Sequence, residues 1–380
     1  MRDAVIVEAV RTPVGRRAGG LSTTHPVDLS AHVLDALVRR GGHDPADIDD
    51  VIWGCVQQVG EQAINIGRSA VLAAGWPESV PATTVDRQCG SSQQAVHFAA
   101  AGLIAGQYDA VVAGGVESMS RIPLGTSLMG ADPRGAAFTR RYPGGTHQGL
   151  GAEMIAERWG LARTRLDEYA LASHARAAAA LDDGRFAAQI APFRTPEGTV
   201  VDTDEGVRRG GDIASMGKLR PVFRPDGVIH AGNSSQISDG AAALLMTTSE
   251  YAARHGLTPI ARVHTAVVVG DDPVVMLTGP IPATRKALAR AGLGIADIGV
   301  FEVNEAFAPV PLAWLAEFDA DEDTVNPNGG AIALGHPLGG SGARIMTTLV
   351  HHMRDTGTRY GLQTMCEGGG LANATILELL

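Results

Sequence analysis

Short apolar runs alternate with amphipathic stretches of helical spacing along most of this chain, a pattern typical of α/β proteins. In the first third, the pattern predicts buried strands over residues 4–10, 51–56 and 110–113. The helices predicted for this third run from a cap at Asp28 to Arg40, over 64–74, and over 91–105 with a stop at Gly106.

The last third repeats this order of elements. The predicted strands are 261–269, 299–303, 362–366 and 371–379, and the predicted helices are 283–291, 305–317 and 340–354. The repetition concerns the order of elements rather than their residues. It predicts two similar halves packed face to face.

Residues 118–238 interrupt the repeat with a stretch rich in Gly, Pro, Arg and Asp, in which helices are predicted near 152–159 and 166–182. An insertion of this length is functional or separately folded. The expected organisation is an N-terminal half made of 1–117 and 239–258, an inserted loop domain over 118–238, and a C-terminal half over 259–380.

The length and net charge of the chain exclude some domain organisations and some binding partners. A chain of 380 residues exceeds what one compact core supports, and a net charge of −10 argues against nucleic acid or an anionic membrane as a partner. No run approaches the ~20 apolar residues of a membrane span, and we recognise no targeting signal at either end. We therefore expect a soluble, cytoplasmic protein.

The charge is unevenly spread. Residues 118–232 hold 15 Lys/Arg against 13 Asp/Glu, a balance of +2 in an acidic chain. A phosphate-bearing ligand and ordinary surface scatter both fit this balance. The three cysteines form no C-x-x-C pair, and the 12 histidines show no ligand spacing, so neither a disulfide framework nor a metal site is expected.

Four short segments carry reactive or polar side chains, three of them beside glycine. They are Cys89 in DRQCGSS, Asn304 in NEAF, His336 in GHPLGGSG and Cys366 in CEGGG. Cys89 is either a small buried hydrophobe or, just before a predicted helix N-terminus, a stabilised thiolate nucleophile. Asn304 is suited to capping the next helix, and Cys366 alone reads equally well as a structural residue. The glycine-rich loop around His336 lacks the Lys-Ser/Thr of a P-loop and the spacing of a dinucleotide fingerprint.

Together the four segments resemble the thiolase family, and the resemblance extends over essentially the whole chain. It implies a five-layered α-β-α-β-α fold built from two similar halves, with an inserted loop domain that covers coenzyme A. It implies an acyltransferase, either an acetyl-CoA C-acetyltransferase or a 3-ketoacyl-CoA thiolase of fatty acid metabolism. Coenzyme A is then a substrate rather than a cofactor, and the assembly is a homodimer or homotetramer.

The resemblance also implies roles for individual residues. Cys89 carries the acyl group, and His336 takes its proton and donates a hydrogen bond to a thioester oxygen. Cys366 is the acid/base at the α-carbon of acetyl-CoA, and Asn304 holds a water that stabilises the enolate. The backbone N–H of Gly368 forms an oxyanion hole with that of Cys89.

Further positions match contacts with coenzyme A. Ser235 matches the residue at the pantetheine arm, and Ala306 and Phe307 match residues near the reactive end. The positions that match the lining of the coenzyme A channel are Arg208, Ser215 and His147.

The chain departs from the family pattern at two places. Glu367 follows the second cysteine where many thiolases have an apolar residue, which suggests either a higher pKa for Cys366 or an arginine partner. His147-Gln148 falls between the biosynthetic and degradative subclasses. The acyl chain length, the net direction and the choice between dimer and tetramer are therefore left open.

Two alternatives to a thiolase are a condensing enzyme of the same fold and a non-catalytic binding protein. A ketoacyl-synthase-like condensing enzyme of the same fold pairs its cysteine with two histidines, and Cys366 in place of the second histidine argues against it. A non-catalytic acyl-CoA-binding protein of thiolase type is expected to lack one of the four reactive residues, yet all four are present.

Overall fold

The computed structural model describes residues 2–380, and strands and helices alternate along them as the sequence predicts. The strands are β1 (Val5–Arg11), β2 (Gly15–Arg16), β3 (Asp50–Gly54), β4 (Ala82–Val85), β5 (Ala110–Ser118), β6 (Phe193–Arg194), β7 (Val200–Val201), β8 (Ser238–Thr247), β9 (Ala261–Gly270), β10 (Val300–Val303), β11 (Tyr360–Glu367) and β12 (Leu371–Leu379).

Short 3₁₀ turns and the α-helices connect these strands. The α-helices are α1 (Pro26–Gly41), α2 (Ile66–Ala73), α3 (Ser91–Ala105), α4 (Gly135–Arg141), α5 (Gln148–Arg158), α6 (Arg163–Asp182), α7 (Ile213–Gly217), α8 (Ser249–Arg254), α9 (Pro280–Ala291), α10 (Pro309–Phe318), α11 (Ala331–Leu334) and α12 (Ser341–Thr356).

Two similar half-sheets meet in the middle of the fold. From the middle outwards, the strand order is β1-β8-β5-β3-β4 on one side and β9-β12-β11-β10 on the other. The two half-sheets pair with each other through the short antiparallel ladder of Val5 with Arg262 and Ile6 with Ala261. Apart from β4, the two orders match strand for strand, which confirms the predicted repeat.

Helices complete five layers around the two half-sheets. Helices α1 and α2 pack on the outer face of the first half, and α9 packs on the outer face of the second. Helices α3 and α12 lie between the halves, and α12 contacts strands of both. This arrangement confirms the predicted α-β-α-β-α architecture.

Most predicted elements are found, with corrections at their ends. Asp28 is not the cap of α1, because the helix begins at Pro26 and the His25 side chain accepts a hydrogen bond from the Val27 N–H. Helix α10 begins at Pro309, five residues after Asn304, so Asn304 does not cap it. Helix α3 ends at Ala105, and Gly106 caps it in the left-handed conformation, as predicted.

The inserted segment leaves the sheet at the end of β5 and returns at the start of β8, two strands that pair with each other. A buried ion pair ties the segment back to the first half. Arg11 of β1 donates to both carboxylate oxygens of Asp204, at 2.7 and 2.8 Å, and both side chains are inaccessible to solvent. The domain limits proposed above stay a prediction. Across residues 2–380, we find no helix with the length and apolar character needed to cross a membrane.

Close helix packing gives a first testable prediction. A Cβ atom placed on Gly342 of α12 would lie 2.2 Å from the backbone nitrogen of Gln93 in α3. Gly342→Ala must therefore push the two helices apart, and overpacking of this kind costs about 1–3 kcal/mol. We expect a lower thermal unfolding midpoint. Gly217→Ala is the control, because no described atom outside its own helix backbone and chain neighbours lies within 4 Å of the added methyl group. Equal midpoints for the two variants would contradict the packing argument.

Candidate active site

Cys89 lies on a tight turn that leads into α3. Gln88 adopts a left-handed φ of 49°, and the helix begins at Ser91. The Ser91 hydroxyl donates to the Gln88 carbonyl at 2.6 Å and accepts from the Arg87 N–H at 2.9 Å. The turn is thereby fixed, and the thiol lies next to the positive end of the helix dipole.

His336 is buried, and its hydrogen bonds define its tautomer. Its Nδ1 lies 2.6 Å from the Ser341 hydroxyl, and that hydroxyl donates to the Pro337 carbonyl at 2.8 Å. Since a hydroxyl has one proton, it must accept from Nδ1–H of the histidine. Nε2 therefore carries the free lone pair, and it has no hydrogen-bond partner among residues 2–380.

One cavity of about 260 Å³ brings these two groups together. Its lining also contains three of the residues predicted to contact coenzyme A, Ser235, Ala306 and Phe307. The Ser235 N–H donates to the Ala306 carbonyl at 2.9 Å, which holds the two segments together. The cavity therefore has a thiol and an unprotonated imidazole nitrogen on a largely apolar wall.

Asn304 directly follows β10, and Cys366 is the second-last residue of the neighbouring parallel strand β11. The Asn304 N–H donates to the Thr364 carbonyl at 3.0 Å, and this bond sets their relative position. Both side chains are buried, and neither polar atom of the Asn304 amide has a partner in the described chain. An amide held in this way is free to orient a small polar ligand.

Burial controls the protonation of these groups. It raises the pKa of the Cys89 thiol to about 12, with the Glu367 carboxyl acting in the same direction, and raises the pKa of Cys366 well above its usual range. Burial also lowers the pKa of His336 to about 3, helped by Arg344. A helix N-terminus stabilises an anion by at most about 2 kcal/mol, and each unit of pKa shift corresponds to about 1.4 kcal/mol. The helix dipole is therefore too weak to offset the effect of burial on the pKa of Cys89. The resting pair is therefore a thiol and a neutral imidazole.

A second cleft of about 650 Å³ adjoins the first cavity and shares Leu124 and Gln148 with it. Gly368 and His147 line this cleft rather than the first cavity. His147 also caps α5, where its side chain accepts from the Gly149 N–H.

Arg208 and Ser215 lie outside both spaces. Arg208 borders a separate surface cleft along α6, and its backbone N–H donates to His174. Ser215 is exposed and forms a capping box with Asp212 at the start of α7. The proposed contacts of these two residues with coenzyme A stay predictions.

Two buried glutamates support the site and were not singled out from the sequence. Glu117 accepts hydrogen bonds from the N–H groups of Val56, Gln57 and Gly339 at 2.9 to 3.0 Å. It thereby ties the loop after β3 to the loop that carries His336. The signal in the sequence was a single acidic residue within the apolar run of β5.

Glu305 plays a similar part beside Asn304. It accepts from the Tyr169 hydroxyl at 3.0 Å, the Ser173 hydroxyl at 2.7 Å and the Ile332 N–H at 3.1 Å. Helix α6 of the inserted segment is thus bonded directly to the turn after β10. The adjacency of Glu305 to Asn304 in the sequence pointed to this position.

The tautomer of His336 gives a second prediction. Ser341→Ala removes the acceptor for Nδ1–H, so the lone pair is no longer held on Nε2, and we expect iodoacetamide to alkylate Cys89 several-fold more slowly at neutral pH. Mass spectrometry of the Cys89 peptide measures this rate. Thr356→Ala on the same helix removes a comparable hydroxyl bond, to the His352 carbonyl, at an exposed position, and should label like the wild type. Equal rates in all three proteins would rule out the orienting role of Ser341.

Comparisons with known proteins find relatives that match essentially the full length of this chain. The family model "Thiolase, N-terminal domain" matches residues 4–250, and "Thiolase, C-terminal domain" matches residues 257–379. A steroid 3-ketoacyl-CoA thiolase of Mycobacterium tuberculosis is 49% identical, over 100% of this chain and 95% of its own. A 3-ketoacyl-CoA thiolase of Pseudoalteromonas translucida is 45% identical, over 100% and 99%. The crystal structure of the Bacillus anthracis acetyl-CoA acetyltransferase superposes with a TM-score of 0.92 at 37% identity, and the match covers 100% of this chain and 99% of that one.

Proposed function

The chain belongs to the thiolase family, and from that premise we propose that Cys89 is the residue on which its acyl group is carried. The chain is an acyltransferase that exchanges acyl groups with coenzyme A. This membership decides against a ketoacyl-synthase-like enzyme. The single observation that supports the assignment to Cys89 is that it lines the same cavity as His336, whose Nε2 carries no proton.

In the degradative direction, Cys89 gives its proton to His336 and attacks the ketone carbon of a 3-ketoacyl-CoA. The bond between the ketone carbon and the α-carbon breaks, and acetyl-CoA leaves as an enolate. Cys366 protonates the α-carbon, and Asn304 with His336 stabilises the enolate oxygen. The N–H groups of Cys89 and Gly368 stabilise the other oxyanion, an arrangement in which each donor is worth about 10²–10³-fold in rate.

The second half-reaction returns the enzyme to its starting state. Coenzyme A gives its thiol proton to Cys366 and attacks the acyl group on Cys89. The thioester to Cys89 breaks, and Cys89 recovers its proton from His336. Run in reverse with acetyl-CoA, the same groups carry out a Claisen condensation.

The size of the second cleft supports a bulky acyl group as the substrate. The cleft measures about 650 Å³ and reaches Gln88 and Gly368 beside the nucleophile, and Leu128, Phe138 and Met276 supply apolar surface. Ligand pockets for drug-sized molecules have volumes of about 300–1,000 Å³. A cleft of this size leaves room beside the nucleophile for a branched or ring-bearing acyl group, and we propose a 3-ketoacyl-CoA of that kind as the substrate.

The remaining aspects of the proposal concern cofactors, assembly and location. Since the thiols and the imidazole supply the nucleophile and the acid/base groups, coenzyme A enters as a substrate and no further cofactor is required by the steps above. A homo-oligomer is supported by β4, which ends the strand order and leaves one edge unpaired within the chain. A cytoplasmic location is supported by three free cysteines.

Separating the two half-reactions tests the assignment. Cys366→Ala should still acquire an acetyl group on Cys89 from acetyl-CoA, because thioester exchange involves no α-carbon proton, yet it should lose carbon–carbon bond cleavage. Cys89→Ala should lose both. Intact-mass and peptide mass spectrometry follow the adduct, and the loss of 3-ketoacyl-CoA absorbance follows cleavage. An acetyl group found on Cys55 or Cys366 in the wild type would overturn the assignment.

A cleft-filling variant tests the substrate class. Leu128→Trp should lower kcat/KM for a ring-bearing 3-ketoacyl-CoA about tenfold, as steric misfit of about 1–3 kcal/mol does, and leave acetoacetyl-CoA cleavage nearly unchanged. Leu72→Trp on the exposed face of α2 controls for the added indole. Equal losses with both substrates would place the acyl group outside this cleft.

A further inference from the structure

Glu367 is a buried carboxyl that accepts no hydrogen bond from residues 2–380. It is the last residue of β11, directly after Cys366, and it is inaccessible to solvent. Neither of its carboxyl oxygens has a partner among the described residues. Buried polar groups are almost always hydrogen-bonded, and a buried carboxyl without a hydrogen bond lowers the stability of the folded protein. Its presence in the core therefore calls for a reason other than stability.

The carboxyl lies against the turn that carries Cys89. A Cβ atom placed on Gly90 would lie 1.9 Å from Glu367 Oε1, so the carboxyl fills the space that a side chain at position 90 would take. From the neighbouring strand β12, the Asn373 side-chain amide donates to the Gly90 carbonyl at 3.2 Å and holds the turn in place. Glu367 and Cys89 are thus next to each other across one glycine.

We propose that Glu367 is a positioning residue for the thiolase reaction, which acts on Cys89 through the buried space beside Gly90. The neutral carboxyl leaves Cys89 able to become a thiolate, and the ionised carboxyl opposes that thiolate. The inference rests on the role of Cys89 as the nucleophile. The proposed effect of Glu367 comes from the charge of its carboxyl next to the turn, and Glu367 does not contact the substrate.

The electrostatics of the turn agree with this geometry. Burial raises the pKa of Glu367 to about 8, against a weaker opposite effect of Arg87. Two negative charges this close in a low-dielectric site repel strongly, so the carboxyl and the thiol titrate as a coupled pair. Below about pH 8 the carboxyl is neutral, and above it the carboxyl is charged. The other titratable or charged groups that act on this pair are Asp86, Arg87, Glu117 and Cys366.

A pH profile of thiol reactivity tests the inference. Glu367→Gln keeps the shape of the side chain and removes its ionisation. The rate of Cys89 alkylation by iodoacetamide, measured on its peptide by mass spectrometry, should match that of the wild type well below pH 8. Above pH 8 the variant should become several-fold faster, because only the wild type gains a second negative charge there.

Two further variants serve as controls for folding and for the substitution itself. Glu367→Leu is unable to ionise and needs no hydrogen-bond partner, so it should follow the same profile as Glu367→Gln even if the buried amide impairs folding. Glu197→Gln makes the same change at an exposed position and should follow the wild type.

The possible outcomes separate this inference from the proposed function. The role of Glu367 would be overturned if the pH profiles of the wild type and both Glu367 variants run parallel at every pH or differ by one constant factor. The acetylation of Cys89 would then still stand. A wild-type Cys89 that takes no acetyl group from acetyl-CoA would instead overturn the proposed function itself.

Discussion

The contact between α3 and α12 at the centre of the molecule is the constraint on which the site depends. At Gly342 the two helices approach too closely for any side chain, and the Ala343 N–H of α12 donates to the Ser92 hydroxyl of α3 at 2.9 Å. The turn with Cys89 leads into one helix, and the loop with His336 leads into the other. Protein interiors are packed as densely as crystals, so this contact fixes the thiol and the imidazole relative to each other more firmly than loops alone would.

Burial then determines the chemistry of the groups that packing brings together. Burial keeps His336 neutral and Cys89 protonated, so the two side chains form no ion pair with each other. In the mechanism proposed for them, charge develops only while an acyl-CoA reacts. Glu117 and Glu305 each accept several hydrogen bonds and so hold the surrounding loops together, whereas Glu367 accepts none from the part of the chain that the structure describes.

The sequence predicted the architecture well because periodic patterns report directly on which face of an element is buried. Strand β12 and helix α3 agree with the predicted limits. The local motifs drew attention to Cys89, Asn304, His336 and Cys366, whose roles stay predictions. Three features were beyond this reasoning. The start of α10 depends on where Pro309 falls in a tight turn, and the anchoring bonds of Glu305 join segments distant in sequence. The coenzyme A contacts proposed for Arg208 and Ser215 lie in the inserted segment, where no periodicity fixes the register of the chain.

The matching order of strands in the two halves has a consequence for the side chains at the site. Each half supplies one central helix, and the residues before the two helix starts differ: a cysteine in the first half and a histidine in the second. A protein made of one half alone would expose the face that α3 and α12 now cover for each other, and two identical copies would present the same side chain twice. Because the two halves differ in sequence, each central helix is preceded by its own side chain, Cys89 before α3 and His336 before α12.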